Sequence, residues 1–314
     1  MTLTTSLVIP AYNESLRLAA GFERLRPVLD EMDPDTVEVV VVDDGSRDDT
    51  MQVAQSVYGH LPHVLFVQQP QNRGKGAAVR LGFSVASAPL VIATDADLSI
   101  RPVHLPEFIV ALRDSPIVPG SREHDTADGY DTFVRTLAGR VFNRLVRHYT
   151  GTTLRDTQCG CKGFQLGPAR ILGLLGFYDR FVYDAEMLFL ADQLGIAVRP
   201  IPVTWDDIAG STVHVGRDAL QMIRDLRSLR HRRYENPVVE LSAAVDVHAV
   251  DEAARASRVH GVVIARAPHN ALVVLPRDGA VAGVGIATAL GGSLRTAGLA
   301  ELRGRIFDAV TSSR

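Results

Sequence analysis

Two carboxylates stand one residue apart in Asp95-Ala96-Asp97, directly after the apolar run Leu90–Thr94. Carboxylate oxygens at that spacing can converge on one magnesium or manganese ion, directly or through water. An ion held there can bridge diphosphate oxygens and neutralise a departing nucleoside diphosphate. An isolated Asp-x-Asp triplet also fits a solvated turn, but this one has company. Three more polar clusters end apolar runs: Pro10-Ala11-Tyr12-Asn13-Glu14, Asp43-Asp44-Gly45-Ser46 and Asn72-Arg73-Gly74-Lys75-Gly76. The Tyr12 ring can flank a base. Asp43 or Asp44 can accept bonds from a base or ribose. Lys75, between glycines, can approach phosphate closely. The segment around it lacks the P-loop spacing, which excludes an ATPase reading.

These clusters need elements that bring them together. Leu7–Ile9, Val37–Val42, Val64–Gln68 and Leu90–Thr94 read as strands, and the valine-rich second run suits burial on both faces. Between them Leu18, Phe22, Leu25 and Leu29 share one helical face, and Gly76–Ala86 predicts another helix. Asn13 and Asp48 are candidate caps for the first two helices. The βαβα rhythm predicts an α/β fold, a Rossmann-like and mostly parallel sheet with helices on both faces. Ligands of such sheets bind beyond the carboxyl ends of the strands, where all four clusters fall. Further helices are predicted near Thr132–His148, Asp184–Leu194 and Gly216–Arg233, and strands near Gly163–Gln165 and Ala197–Val203. After Tyr234 the character changes to Val, Ala and Gly. Residues 1–235 are expected to form the main domain. Residues 236–314 are expected to form a small α/β appendage, with strands at Val262–Ala265 and Leu272–Leu275 and a last helix over Leu299–Val310.

The 314 residues carry a formal net charge of −3, which argues against nucleic acid as a partner. Cys159 and Cys161 cannot complete a four-ligand zinc site, and reduced thiols are expected. The start of the chain has no secretory pattern, and no apolar run reaches the roughly 20 residues that cross a bilayer. A cytoplasmic protein is expected.

The segments resemble the family 2 glycosyltransferases, and their order is similar to the polyprenyl-phosphate branch. That branch includes dolichyl-phosphate mannose synthases and dolichyl-phosphate glucosyltransferases. The glucosyltransferase likeness rests on Leu154-Arg155-Asp156-Thr157-Gln158-Cys159-Gly160, Tyr183-Asp184-Ala185-Glu186-Met187-Leu188, Val203-Thr204-Trp205 running to Gly210-Ser211, and Gln221-Met222 with Asp225-Leu226. It covers about residues 5–234. The resemblance implies a GT-A fold and inverting transfer of a hexose, glucose favoured. UDP-glucose would be the donor and a polyprenyl or dolichyl phosphate the acceptor, with GDP-mannose the alternative donor. It implies that Pro10, Ala11, Tyr12, Glu14, Asp43, Asp44, Lys75, Asp95, Ala96 and Asp97 hold the nucleotide sugar. Asp95 and Asp97 would bind Mg2+ or Mn2+, and Asp97 would be the strongest ligand. Arg122 and Arg135 would meet the lipid phosphate.

Asp97, Asp156 and Glu186 are the candidate catalytic acids. Because a phosphate acceptor is already anionic, with a second pKa of about 6, Asp156 or Glu186 can instead position the acceptor or an arginine. Asp184 fits a helix cap as well as a catalytic acid. The pattern has an aromatic residue where Cys161 stands and a lysine where Thr212 stands. Its eukaryotic members carry an N-terminal membrane anchor that is not seen here. Arg224, Arg227, Arg230, Arg232 and Arg233 crowd the end of the last main-domain helix. They suit contact with an anionic membrane surface, which predicts a peripheral protein at the inner face. A non-catalytic nucleotide-sugar-binding protein is the reading from another class. The retained Asp95 and Asp97 speak against it. A sugar nucleotidyltransferase would show a Gly-rich, Arg-containing loop where Ala11-Tyr12-Asn13-Glu14 stands.

Overall fold

The structure, a computed structural model, describes residues 2–122, 141–180, 182–206, 208, 215–242, 245–257 and 262–309. A seven-stranded sheet is built from β1 (Thr5–Ala11), β2 (Val37–Asp43), β3 (Val64–Gln68), β4 (Leu90–Ala93), β5 (Ile117–Ser121), β6 (Lys162–Gln165) and β7 (Ile201–Pro202). Its order is β3-β2-β1-β4-β6-β5-β7. All neighbours run parallel except β6, which is antiparallel to β4 and β5.

The side-chain alternation of β1 and β2 fixes the two faces. Leu7, Ile9, Val39 and Val41 point to one side and are fully buried. There they meet Leu18, Phe22, Leu25 and Leu29 of α1 (Ser15–Glu31), Ala54 and Tyr58 of α2 (Thr50–Tyr58), and Phe108 of α4 (Leu105–Asp114). Val8, Val40 and Val42 point to the other side. They pack on Ala78, Val79 and Phe83 of α3 (Lys75–Val85), and share that core with α6 (Leu166–Leu175) and α7 (Tyr183–Leu194). Helices therefore cover both faces, as the sequence predicts. Glu38, the one acid inside the valine run, is buried but satisfied: its oxygens accept from the Ser6 and Ser87 hydroxyls and the Ser87 N–H.

Residues 141–150 form α5, and the rest of the helix expected at Thr132–His148 lies outside the described residues. Helix α8 (Val215–Leu229) ends earlier than its arginine-rich sequence suggests, and a turn at residues 230–231 follows. The strand expected over Ala197–Val203 shrinks to β7 and one bridge from Val198 to Ile117.

The segment after Tyr234 forms a second, five-stranded antiparallel sheet in the order β11-β8-β10-β9-β12. Its strands are β8 (Glu235–Ser242), β9 (Val263–Arg266), β10 (Asn270–Val274), β11 (Ser293–Gly298) and β12 (Ile306–Ala309). Helices α9 (Val247–Ala256) and α10 (Ala280–Leu290) cover one face. On the other face Val238, Val263, Ala265, Leu272 and Val274 join the core of α6 and α7. A Cβ at Gly167 of α6 would stand 1.8 Å from the Phe307 carbonyl oxygen, so glycine sets how closely β12 approaches. The helix expected over Leu299–Val310 is instead the single turn α11 (Leu299–Leu302) followed by β12. Leu302, Ile306 and Val310 mimic helical spacing. The unpaired edge of β9 wins, pairing Ile306–Ala309 with Val263–Arg266.

Candidate active site

Strand register puts the four polar clusters on one edge. Ala11 lies opposite Asp43, Asp43 opposite Gln68, and Val8 opposite Ala93. Pro10 and Ala11 end β1 as buried strand residues, Tyr12 is partly exposed, and Ala96 is buried between the two aspartates.

Asp43 and Asp44 divide the work that the sequence leaves undecided between them. Asp44 accepts four bonds: Gln69 Nε2 at 2.8 Å, Asn72 Nδ2 at 3.0 Å, Arg73 N at 2.9 Å and Gly74 N at 2.7 Å. A carboxylate offers about four acceptor positions, so Asp44 is spent on shaping the 69–74 loop. Burial pushes its pKa up, against the pull of the two backbone N–H groups. Asp43 accepts from Ser46 and from Gln68 Nε2 at 2.7 Å, which leaves acceptor capacity on its Oδ2. Asn13 does not cap α1. Its side chain accepts from Arg47 N and its N–H donates to Ser46, tying the β1 loop to the β2 loop. Asp48 serves both helices, accepting from Thr50 N and from Ser15 N.

The Asp-x-Asp pair sits past β4 with both side chains partly open to solvent. Lys75 pairs with Asp95. Burial alone would lower the Lys75 pKa, but Asp95, Tyr183 and Asp184 outweigh it and hold the ammonium well above its usual range. Arg17, in the first turn of α1, reaches the other acid: its Nη1 is 3.4 Å from Asp97 Oδ2, and its Nη2 donates to Glu14 Oε1 at 2.5 Å. Glu14 Oε2 is buried and has no hydrogen-bond partner among the described residues. Burial, with Asp97 and Asp95 as neighbours, pushes the Glu14 pKa up despite Arg17.

These residues fit a divalent cation. The donors are hard oxygens, and an orphaned carboxylate oxygen lies in the same acidic patch. Among the described residues no group of three or more His, Cys, Asp or Glu could hold a metal alone. That suits Mg2+ or Mn2+, which one or two carboxylates bind together with substrate phosphates and water.

The 154–161 segment backs this edge. Asp156 accepts a fork from Arg122, with Nε at 2.7 Å and Nη2 at 3.0 Å, and also the Arg122 N–H. Burial would raise the Asp156 pKa, but Arg122 holds it below the usual range. The structure therefore places Arg122 and Asp156 as one unit. Gly160 packs directly on Asp95: a Cβ there would fall 2.0 Å from Asp95 Oδ2. The sequence shows Gly160 only as the end of the 154–160 motif and not its contact with Asp95, because that contact joins distant segments. Both cysteines are buried, and burial raises Cys159 to about 11, so neither is a reactive thiolate. Asp184 is not a simple cap. It forms a buried ion pair with Lys162 Nζ at 2.5 Å, a nitrogen that also donates to Cys159 O.

Glu186 is turned to another task. It accepts from Phe177 N, Tyr178 N and the Tyr234 hydroxyl, each at 2.9 Å. It thereby holds the 176–180 loop, whose Asp179 carbonyl accepts from Ala77 N beside Lys75. Arg135 and Thr212 lie outside the described residues. Arg232 stacks on the Phe177 ring, 3.3 Å from its centroid, so it belongs to this brace. Arg224, Arg227, Arg230 and Arg233 are exposed.

The sequence model of Glycosyl transferase family 2 matches residues 6–171. The chain belongs to that family and is a glycosyltransferase. It is 35% identical over 240 residues to the dolichyl-phosphate beta-glucosyltransferase of Drosophila melanogaster, covering 72% of this chain and 74% of that protein. The human dolichyl-phosphate beta-glucosyltransferase is 32% identical, over 74% of this chain and 76% of its own length. Among solved structures, glucosyl-3-phosphoglycerate synthase from Mycobacterium tuberculosis, crystallised with Mn2+, UDP and glucosyl-3-phosphoglycerate, shares the fold. Its TM-score is 0.54 at 21% identity, over 73% of this chain and 78% of that one.

Gly160→Ala must push Asp95 out of place. The expected result is a loss of about a hundred-fold in kcat/KM, with an unchanged thermal transition. Full activity in the alanine variant would contradict the close approach.

Proposed function

We propose that this chain transfers glucose from UDP-glucose to a polyprenyl or dolichyl phosphate, with inversion at the anomeric carbon. The observation that carries the reading is the Asp95–Asp97 pair at the carboxyl edge of the sheet, with Lys75 on Asp95 and Arg17 beside Asp97. The dolichyl-phosphate beta-glucosyltransferases among the relatives support the acceptor and the sugar. Asp43, with its remaining acceptor position, serves the base or ribose. Tyr12 and Pro10 flank the base, and Glu14 stands beside them at the same sheet edge. A bound Mg2+ or Mn2+, held by Asp95 and Asp97, would neutralise charge on the departing diphosphate. Lys75 is placed to move from Asp95 to a phosphate oxygen and share that charge. The acceptor phosphate is anionic near neutral pH and needs no strong base. Asp156 accordingly orients Arg122, and the free edge of that guanidinium, together with Arg135, receives the acceptor phosphate. Glu186 keeps the loop under Lys75 in place and does not move protons.

Among the described residues no helix is long and apolar enough to cross a membrane. We assign contact with an anionic bilayer, at its inner face, to Arg224, Arg227, Arg230 and Arg233. Each such charge contributes about 1 kcal/mol near that surface. Residues 1–235 act as the transferase unit in this reading, and residues 236–314 as a separate small unit packed behind it.

Incubating the protein with radiolabelled UDP-glucose or GDP-mannose, polyprenyl phosphate and Mg2+ tests the reaction. Label should pass to the organic phase from UDP-glucose. Asp97→Ala should lower transfer by at least about a hundred-fold while folding normally. Transfer from GDP-mannose alone would overturn the donor assignment, and an active Asp97→Ala would overturn the metal assignment. In flotation with anionic liposomes, the protein should float at low salt and be released at high salt. Failure to float at low salt would remove the four-arginine contact.

A further inference from the structure

The acidic edge holds more negative charge than its two catalytic-looking carboxylates suggest, and it holds its own cations. Glu14, Asp95 and Asp97 lie close enough to influence one another. Lys75 pairs with Asp95 and Arg17 bridges Glu14 and Asp97. Each carboxylate of the Asp-x-Asp pair is thus already matched to a protein cation. Lys75 fits the expected role of a phosphate ligand. Arg17 does not: it stands on the first turn of α1, and its sequence position reads as an ordinary helix-surface cation.

We propose that Arg17 is a built-in counter-ion of the metal site, which yields Asp97 to the divalent cation only when a nucleoside diphosphate arrives with it. The inference rests on the metal reading of Asp95 and Asp97 given above. Its physical basis is charge. A guanidinium nitrogen 3.4 Å from Asp97 Oδ2 repels a divalent cation approaching the same oxygen. The side chain is only 18% exposed, so water screens that repulsion incompletely. Three carboxylates face two protein cations, leaving a small negative excess. A metal alone reverses that excess, and a diphosphate alone deepens it. The two together leave it nearly unchanged, and the diphosphate gives Arg17 and Lys75 new partners. Metal and nucleotide therefore bind with positive coupling, and by linkage each strengthens the other by the same factor. Glu14 is the anchor that keeps Arg17 near the site throughout, through the other arm of its fork. Arg17 is a positioning residue here and touches no reacting atom.

The test is a titration of Mn2+ into the full chain, following free Mn2+ by electron paramagnetic resonance, with and without saturating UDP. The wild type should bind Mn2+ weakly alone and much more tightly with UDP. Arg17→Gln should bind Mn2+ alone about ten-fold more tightly, with a correspondingly smaller gain from UDP. Arg17→Lys keeps the charge and should stay close to the wild type. A purely structural role for Arg17 would weaken Mn2+ binding in both variants. If Arg17→Gln does not fold, Arg17→Met must show the same tightening. An uncharged variant that binds Mn2+ alone no more tightly than the wild type overturns the proposal. Wild-type protein that binds UDP but no Mn2+ overturns the metal reading itself, a separate result.

Discussion

Glu14, Asp95 and Asp97 meet at the carboxyl edge of one sheet, and their mutual repulsion has to be carried by everything around them. Strand register leaves no choice about their meeting, because β1 and β4 are neighbours in the parallel sheet. Burial, and to a lesser degree the neighbouring acids, push the Glu14 pKa up against the pull of Arg17. Lys75 and Arg17 offset the repulsion locally. Both are provided by first turns of helices that begin at this edge, where the helix dipole by itself would favour anions over cations. Their charges are therefore held by the carboxylates, and in the proposed reading a diphosphate would compete for them.

A second ring of contacts fixes the backbone that carries these charges. Asp44 closes the 69–74 loop with four accepted bonds, and Glu186 closes the 176–180 loop from behind. The two loops touch where Arg73 Nη2 donates to Asp179 Oδ2 at 3.3 Å, and Asp179 O accepts from Ala77 N in the first turn of α3. Phe177 is stacked by Arg232 and by Arg277, the latter from the segment between β10 and α10. The antiparallel sheet thus reaches the brace beneath Lys75, and the Tyr234 hydroxyl, just before β8, bonds the same Glu186. Asp44, expected at the nucleotide, and Glu186, expected to be catalytic, are both acceptors for backbone N–H groups.

Much of the first half is legible in the sequence because its chemistry is local. A buried valine strand, a polar strand end and an Asp-x-Asp triplet each declare themselves within a few residues. Parallel pairing then makes their convergence a matter of topology. Contacts between distant segments are not legible in that way. Nothing near Gly160 announces Asp95, and nothing near Arg17 announces Asp97. Asp156 and Arg122 are each visible, but their fork is not. In the last segment, short Val- and Ala-rich runs fit strand or helix equally well. Pairing with β9 decides the identity of Ile306–Ala309, and helical spacing misleads. The arginines after Met222 read as one basic surface, yet Arg232 turns inward onto Phe177 while its neighbours stay exposed.

In the proposed reading Asp97 would hold one divalent cation together with the diphosphate of a nucleotide sugar, and Lys75 would leave Asp95 for a phosphate oxygen. A crystal structure with UDP-glucose and Mn2+, recorded at a wavelength where manganese scatters anomalously, measures this directly. The account predicts an anomalous peak in coordination contact with Asp97 and with diphosphate oxygens, and Lys75 Nζ on a phosphate. A peak away from Asp97, or a diphosphate bound with Lys75 still on Asp95 and no peak between them, would contradict it.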